Sequence, residues 1–416
     1  MKKHRFPWTI GLIASALVIV AHPLRSQMVI GQYLDEAPVR TWNSFPAFTA
    51  VGLGRGETGF TLATDASAAL SNPALLPTLP RFSLAADGYF HVASFFMYGP
   101  VNTGLFISDE KVSLSGGGLG FAGLSVRFLG WSLALNYSLS ELYHRPTAYD
   151  GYEYGGTTIG EFNFEQRGVL RNWNISVARR IGARFCLGLG LTYAEGHLER
   201  EMRESWFEPF PSYSITDWKS QEFRGMMITG GILLELSDRF RMAAVVRSPS
   251  IKKSDSRSDL RYVSRPGNTD IMISATAKDE AHQPLVVGLG ASFDFNPELI
   301  FALDATYYNW SKYSVVFFEE PRERDFRDVV KIGAGIEHRS SYRIFGDKAV
   351  IPFRFGVVYD PQPMKAPSSS YFGLSFGNGI SWRGVHLDVG ALLGRESGSG
   401  HALDVIRIAL SIGYSK

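Results

Sequence analysis

From Arg81 onward, apolar and polar residues alternate with a period of two. In 131–139 one parity carries Trp131, Leu133, Leu135, Tyr137 and Leu139, and the other carries Ser132, Ala134, Asn136 and Ser138. In 184–193, Phe185, Leu187, Leu189, Leu191 and Tyr193 alternate with Arg184, Cys186, Gly188, Gly190 and Thr192. The last stretch sets Ile406, Ile408, Leu410, Ile412 and Tyr414 against Arg407, Ala409, Ser411 and Gly413. Successive side chains of a strand point to opposite faces, so each stretch predicts a β-strand with one apolar and one small or polar face. Aromatic residues at the ends of the aliphatic stripes meet the needs of a wall crossing both membrane interfaces.

Connector lengths alternate as well. Short joints at 128–130, 181–183, 237–239, 296–298, 338–348 and 381–384 separate long polar or aromatic connectors at 143–166, 195–221, 248–283 and 312–327. Segments starting near Arg81, Ser115, Trp131, Arg171, Arg184, Phe223, Phe240, Leu285, Leu299, Val329, Ile351, Phe372, Val385 and Leu403 amount to about fourteen strands, and an even number returns the chain to its starting side. The expectation is an all-β fold: a transmembrane antiparallel barrel with turns at one rim and long loops at the other. The inward parity is mixed, with Arg241, Asp294, Asp304, Lys331, Arg354, Asp388 and Arg407 among Gly, Ser and Ala. Mutual pairing of these charges in a hydrated lumen is the expectation. Cys186 falls on the same small-residue parity, which predicts a thiol facing inward.

One stretch keeps neither period. Residues 51–76, VGLGRGETGFTLATDASAALSNPALL, are rich in Gly and Ala, carry Arg55, Glu57 and Asp65, and close on Asn72, Pro73, Ala74 and Leu75. Small residues allow backbone to pack on backbone, and Pro73 holds Asn72 out of the helical region. A barrel of this size encloses space that water or a plug must fill, and this stretch is the candidate plug. Ahead of it, Lys2, Lys3 and Arg5 precede a short apolar run at 10–21, the pattern of a secretory signal peptide cleaved after Ala21 or Ser26. The expected organisation is a signal peptide at 1–26, a plug or hatch at 27–80 and a barrel at 81–416. No stretch approaches the ~20 apolar residues of a membrane-spanning helix.

Composition agrees with a large β structure. The 416 residues include 43 Gly, with 13% aromatic and 20% charged residues. A formal net charge of +2 gives no reason to expect nucleic acid as a partner. The nine histidines are scattered, without a His-Glu-x-x-His helix or a Cys-His cluster, so neither metal nor cofactor is expected. Gly52, Gly54 and Gly56 lack the Lys-Ser/Thr pair of a phosphate loop, and there is no Gly-x-Ser-x-Gly elbow, so an enzyme is not expected. The connectors at 143–166 and 195–221 hold many aromatics, among them Tyr149, Tyr152, Tyr154, Trp206, Phe207 and Phe210. These are candidates to capture an apolar ligand, with packing on one another as the alternative.

The order of short motifs resembles the FadL-type family of outer-membrane transporters for long-chain fatty acids and other hydrophobic molecules. Gly52-Leu53-Gly54-Arg55, Asp65-Ala66-Ser67-Ala68 and Asn72-Pro73-Ala74-Leu75 follow that family's N-terminal pattern. Val246-Arg247-Ser248-Pro249, Asp304-Ala305-Thr306, Asn309-Trp310-Ser311 and Tyr359-Asp360-Pro361-Gln362-Pro363 extend the likeness to near Pro363. The resemblance implies a fourteen-stranded barrel with a hatch in its lumen, capture by outward loops, and a hydrophobic, fatty-acid-like small molecule as partner. It also implies a monomeric barrel in contact with outer-membrane lipid, in a bacterial outer membrane. Two other readings remain open at this point: an accessory or shuttle component of a protein-secretion system, and an adhesin-like barrel.

Overall fold

The computed structural model describes residues 45, 49–96, 101–102, 107–108, 111–154, 156–207, 212–265, 268–317, 320–323, 325–365, 368–398 and 402–416. The expected signal peptide and Phe210 lie outside the described residues. Fourteen strands form the wall: β1 Phe82–Phe96, β2 Lys111–Phe128, β3 Trp131–Leu142, β4 Thr157–Ile181, β5 Phe185–Trp206, β6 Tyr213–Glu235 and β7 Phe240–Arg247. They continue with β8 Val286–Asn296, β9 Leu299–Tyr308, β10 Val329–Ile344, β11 Asp347–Pro361, β12 Ser370–Trp382, β13 Val385–Ser397 and β14 Asp404–Ser415. Each pairs antiparallel with the next, and β1 pairs with both β2 and β14, so the sheet closes on itself. Closure removes the unpaired edges that a bilayer would not tolerate.

Parity decides which face is which. Along β5, Leu187, Leu189 and Leu191 are 48%, 54% and 45% exposed, whereas Cys186, on the opposite parity, is fully buried. The same outward apolar parity recurs in β3, β6, β10, β12 and β14, at Leu133, Ile228, Ile332, Leu374 and Leu410 among others. A continuous apolar band around the whole wall is far more than a water-soluble surface carries, and it suits hydrocarbon. Aromatics mark both of its borders. Near the short turns, Phe82 pairs with Tyr414, Phe345 with Trp382, and Arg179 lies 5.0 Å over the Trp131 ring. Towards the other rim, Tyr137 meets Trp173 at 5.3 Å and Tyr359 meets Phe372 at 4.8 Å. The turns themselves use positive φ at Leu129-Gly130, Phe345-Gly346 and Arg383-Gly384, which fits two-residue hairpins.

The long connectors differ from expectation: most of their length is sheet. β4, β5 and β6 run for 25, 22 and 23 residues, well beyond the ~9–11 needed to cross a membrane. Their ladders continue to Gly160↔Trp206 and Trp206↔Tyr213. Between β7 and β8, strands Ser250–Ser264 and Thr269–Gln283 pair with each other, and the first also pairs with β6. Strand Arg145–Tyr154 pairs with β4. Beyond the hydrocarbon both faces of a sheet meet water, so these extensions carry no apolar stripe. Alternation of charged and aromatic residues serves instead, with cross-strand pairs such as Arg200–Asp217 at 3.0 Å.

Candidate functional site

Residues 49–79 lie against the inward parity of strands on opposite sides of the wall. A helix at Ala50–Gly54 opens the segment, with the Thr49 hydroxyl accepting a hydrogen bond from Gly52 N at 3.1 Å. A second short helix, Ala68–Ser71, leads into a 3₁₀ turn, Pro73–Thr78. The fit to the wall is backbone on backbone. A Cβ on Gly54 would lie 2.8 Å from Gly377 Cα in β12, and one on Gly56 would lie 2.2 Å from Ala334 O in β10. Gly56 also has φ +68°, a conformation that glycine adopts without penalty. Across the lumen, a Cβ on Gly188 of β5 would reach 2.4 Å from Ala74 N, and one on Gly231 of β6 would reach 2.0 Å from Asn72 Oδ1. The segment therefore spans the lumen and touches both sides.

Two groups of buried charges join it to β10–β14. Arg55 Nη1 donates to Glu337 Oε2 at 3.0 Å, and Arg55 Nε donates to Thr58 Oγ1 at 3.2 Å. Glu337 also accepts from Arg354 Nε at 2.7 Å and from Arg339 Nε at 2.6 Å, while Arg354 Nη1 reaches Asp388 at 2.7 Å. In the second group Glu57 receives Lys331 Nζ on one oxygen and Arg407 Nη1, at 3.2 Å, on the other. Hydrogen bonds from the segment's backbone N–H groups add to the attachment. Asp304 Oδ2 accepts from Gly59 N at 2.6 Å and Phe60 N at 3.0 Å, Ser375 Oγ accepts from Gly56 N at 2.8 Å, and Asp87 Oδ1 accepts from Ala50 N at 3.1 Å. Of the charges expected to pair among themselves, Arg241 pairs with Asp294 and Arg354 with Asp388. Lys331 and Arg407 instead take their anion from the plug segment, because Glu57 is carried into the lumen by it.

Asn72 is completely buried and makes three side-chain hydrogen bonds. Its Nδ2 donates to Phe60 O at 2.9 Å and Ile232 O of β6 at 3.2 Å, and its Oδ1 accepts from Ala74 N at 3.0 Å. The first and third bonds fold the segment on itself; the second fixes it to the wall. Pro73 takes the first position of the 3₁₀ turn, where a missing N–H leaves nothing unpaired. Leu75 joins Leu76, Leu79, Ala68 and Phe60 in an apolar cluster with Cys186, Leu233 and Val245 of the wall. Gly52 is buried within the first helix, and Asp65 Oδ1 accepts from Ser67 N at 2.8 Å to set the turn before the second.

The aromatic candidates are dispersed along the sheet extensions. Tyr149, Tyr152 and Tyr154 lie on strand Arg145–Tyr154, and Tyr152 and Trp206 are both register partners of Gly160. The Trp206 ring lies 6.5 Å from Tyr213, and its Nε1 donates to Glu204 at 2.6 Å. Phe207 N donates to Ile159 O at 2.8 Å just past the end of β5. Glu337, which gathers three arginines, was not singled out in the sequence. Its parity with Lys331, Gly333 and Gly335 was the available signal. Phe45, fully buried 5.1 Å from Phe60 and with the Arg247 guanidinium 4.0 Å over its ring, was also missed; it lies between the apolar run at 10–21 and the Gly/Ala-rich stretch, in neither pattern.

No family model matches the sequence, and no curated protein matches it. Solved structures do match the fold. A Pseudomonas aeruginosa FadL homologue superposes with a TM-score of 0.63 at 15% identity, over 89% of this chain and 98% of that one. The CymD monoaromatic hydrocarbon channel gives 0.64 at 15% identity, over 90% and 99%. The P. putida toluene transporter TodX gives 0.64 at 12% identity, over 90% and 99%. At such identities the likeness establishes the fold, a FadL-type barrel.

Proposed function

We propose that the protein is a passive outer-membrane channel for hydrophobic compounds, with residues 49–79 as its hatch. The observation that carries this reading is the seating of residues 49–79 inside the barrel, against glycines of β5, β6, β10 and β12 and in ion pairs with β10 and β14. Similar folds belong to proteins described as a toluene transporter and a monoaromatic hydrocarbon channel. Binding an alkyl or aromatic solute needs no energy source, since burial gains roughly 0.8 kcal/mol per CH₂. Release is the harder step, and a movable hatch supplies it. Long-chain fatty acids and monoaromatics are the two solute classes to test.

The filled lumen also supports a second reading, a sealed barrel that serves as a secretion accessory or presents its extensions as an adhesin. An Asn72→Leu variant separates the two. Leu fits neither the Ile232 nor the Phe60 carbonyl, and each orphaned buried group costs about 1–3 kcal/mol. A channel gated by this segment should show altered uptake of a labelled fatty acid or of toluene at normal levels of heat-modifiable, membrane-assembled barrel. Unchanged uptake at normal assembly would defeat the gating reading and leave the sealed barrel.

A further inference from the structure

The hairpin of strands Ser250–Ser264 and Thr269–Gln283 borders the sheet extension on one side. Its second strand pairs with the first along its whole length. On the other side only Glu280, Ala281 and His282 are paired, with Val316, Val315 and Ser314. Among the described residues, 270–278 therefore form an open sheet edge. The phase of the ladder decides which backbone groups face out from it. Arg265 N donates to Ser212 O at 3.1 Å, so odd-numbered residues of the first strand bond to β6 and even-numbered ones to the second strand. Those even-numbered residues stand opposite odd-numbered residues of the second strand. The N–H and C=O groups of Asp270, Met272, Ser274, Thr276 and Lys278 consequently point away from the hairpin.

This edge contains no proline, and its three large apolar side chains, Ile271, Met272 and Ile273, are 47%, 62% and 58% exposed. An edge without such protection takes up a further strand. The residues around Ser274 indicate which strand fits. Laid antiparallel to itself with Ser274 opposite Ser274, the edge sets Asp270 against Lys278 at both ends. It also sets Ile271 and Ile273 against Ala277 and Ala275, large against small. Every outward-pointing backbone group then meets one of the other strand, with opposite charges on directly opposed positions. Asp270 already meets Arg261 at 2.7 Å, but that pair is exposed and contributes little.

We propose that 270–278 pairs with the same edge of a second copy of this chain, antiparallel about Ser274. The two-fold axis of such a pair is perpendicular to the sheet. It is therefore radial to the barrel and lies in the membrane plane, so the second barrel points the opposite way. The pair joins two facing membranes, and each barrel stays single in its own. Spacing permits this. From Pro284 to Ser274 is roughly 33 Å of strand, which sets the two barrels roughly 66 Å apart along the strands. Thr269, near the tip, is roughly 50 Å out and stops short of the opposite barrel. The inference is independent of transport.

The test uses the full-length protein, first in detergent at micromolar concentration, where native mass spectrometry should find a dimer. D270K and K278D should each weaken self-association about tenfold, because like charges then oppose each other at both ends. Mixed together, the two variants should pair with each other as well as the unaltered protein pairs with itself. T276P removes an outward-pointing N–H and leaves the hairpin's own ladder intact, so it should abolish the dimer with heat-modifiable migration unchanged. Opposed residues of a hydrogen-bonded pair lie about 5.5 Å apart between Cα atoms, within disulfide range, so S274C should link the two copies on oxidation. In vesicles, the unaltered protein should cluster the membranes that carry it, and T276P should not. A protein that stays monomeric would overturn the proposal and leave the edge to a foreign strand. So would a dimer that S274C fails to link, that D270K leaves intact, or that leaves vesicles dispersed. Solute uptake by T276P should match that of the unaltered protein, which separates this inference from the channel reading.

Discussion

At the scale of single residues, Glu57 ties the plug segment to two buried cations of the wall. It is the carboxylate for both Lys331 and Arg407, and its backbone sits at φ 56° beside Gly56. Removing one member of a buried ion group leaves the rest uncompensated, at about 3–5 kcal/mol. On the proposed hatch reading, that cost should appear as detachment of the segment, not as loss of the barrel. Glu57→Gln is therefore expected to assemble normally and to gain protease cleavage within 49–79. A lowered barrel melting point with no new cleavage would contradict the assignment. Arg55 differs, because Glu337 keeps Arg354 and Arg339 when Arg55 is removed. Arg55→Met should be the milder variant in the same proteolysis assay.

At the scale of elements, the outward stripe was legible because hydrocarbon leaves few choices of side chain. Leu187, Leu189 and Leu191 announce both a strand and its outer face. The extensions of β4–β6 were not legible as strands, since Arg200, Trp218 and Lys219 alternate without any single solvent to sort them. The open edge at 270–278 was equally hidden, since pairing between segments far apart in sequence decides which strand is left at the border. Glu57 and Lys331 are 274 positions apart, and no local pattern joins them. The Asn72-Pro73-Ala74 turn could be anticipated from residue types; its bond to Ile232 could not. Hydrogen exchange tests the revised view of the connectors. Amides paired across 199–202 and 217–220 should be protected as strongly as those of the wall, whereas true loops there would exchange at once.

At the scale of the whole molecule, the fourteen-strand ladder closes on itself without any pairing from the plug segment. Deleting 51–76 should leave a closed barrel that conducts ions in a planar bilayer. The same deletion should expose Cys186, buried now under Leu75 and Leu76, to a membrane-impermeant maleimide. A barrel that stays non-conducting with an unreactive Cys186 would mean that the wall's own side chains close the lumen.

The final ladder has a consequence for the order of events in biogenesis. Phe82 N donates to Lys416 O and Lys416 N donates to Phe82 O, so the seam of the cylinder joins the first wall strand to the last. The plug segment is made before any of the wall, yet its glycine contacts require strands on both sides of the lumen. If it docks before the seam closes, it waits inside the curling sheet while the last strands arrive, and the seam zips shut around it like a cask hooped about its contents. Slow closure would give the segment time to find its place. Premature closure would lock it out, leaving threading through the rim as its only way in.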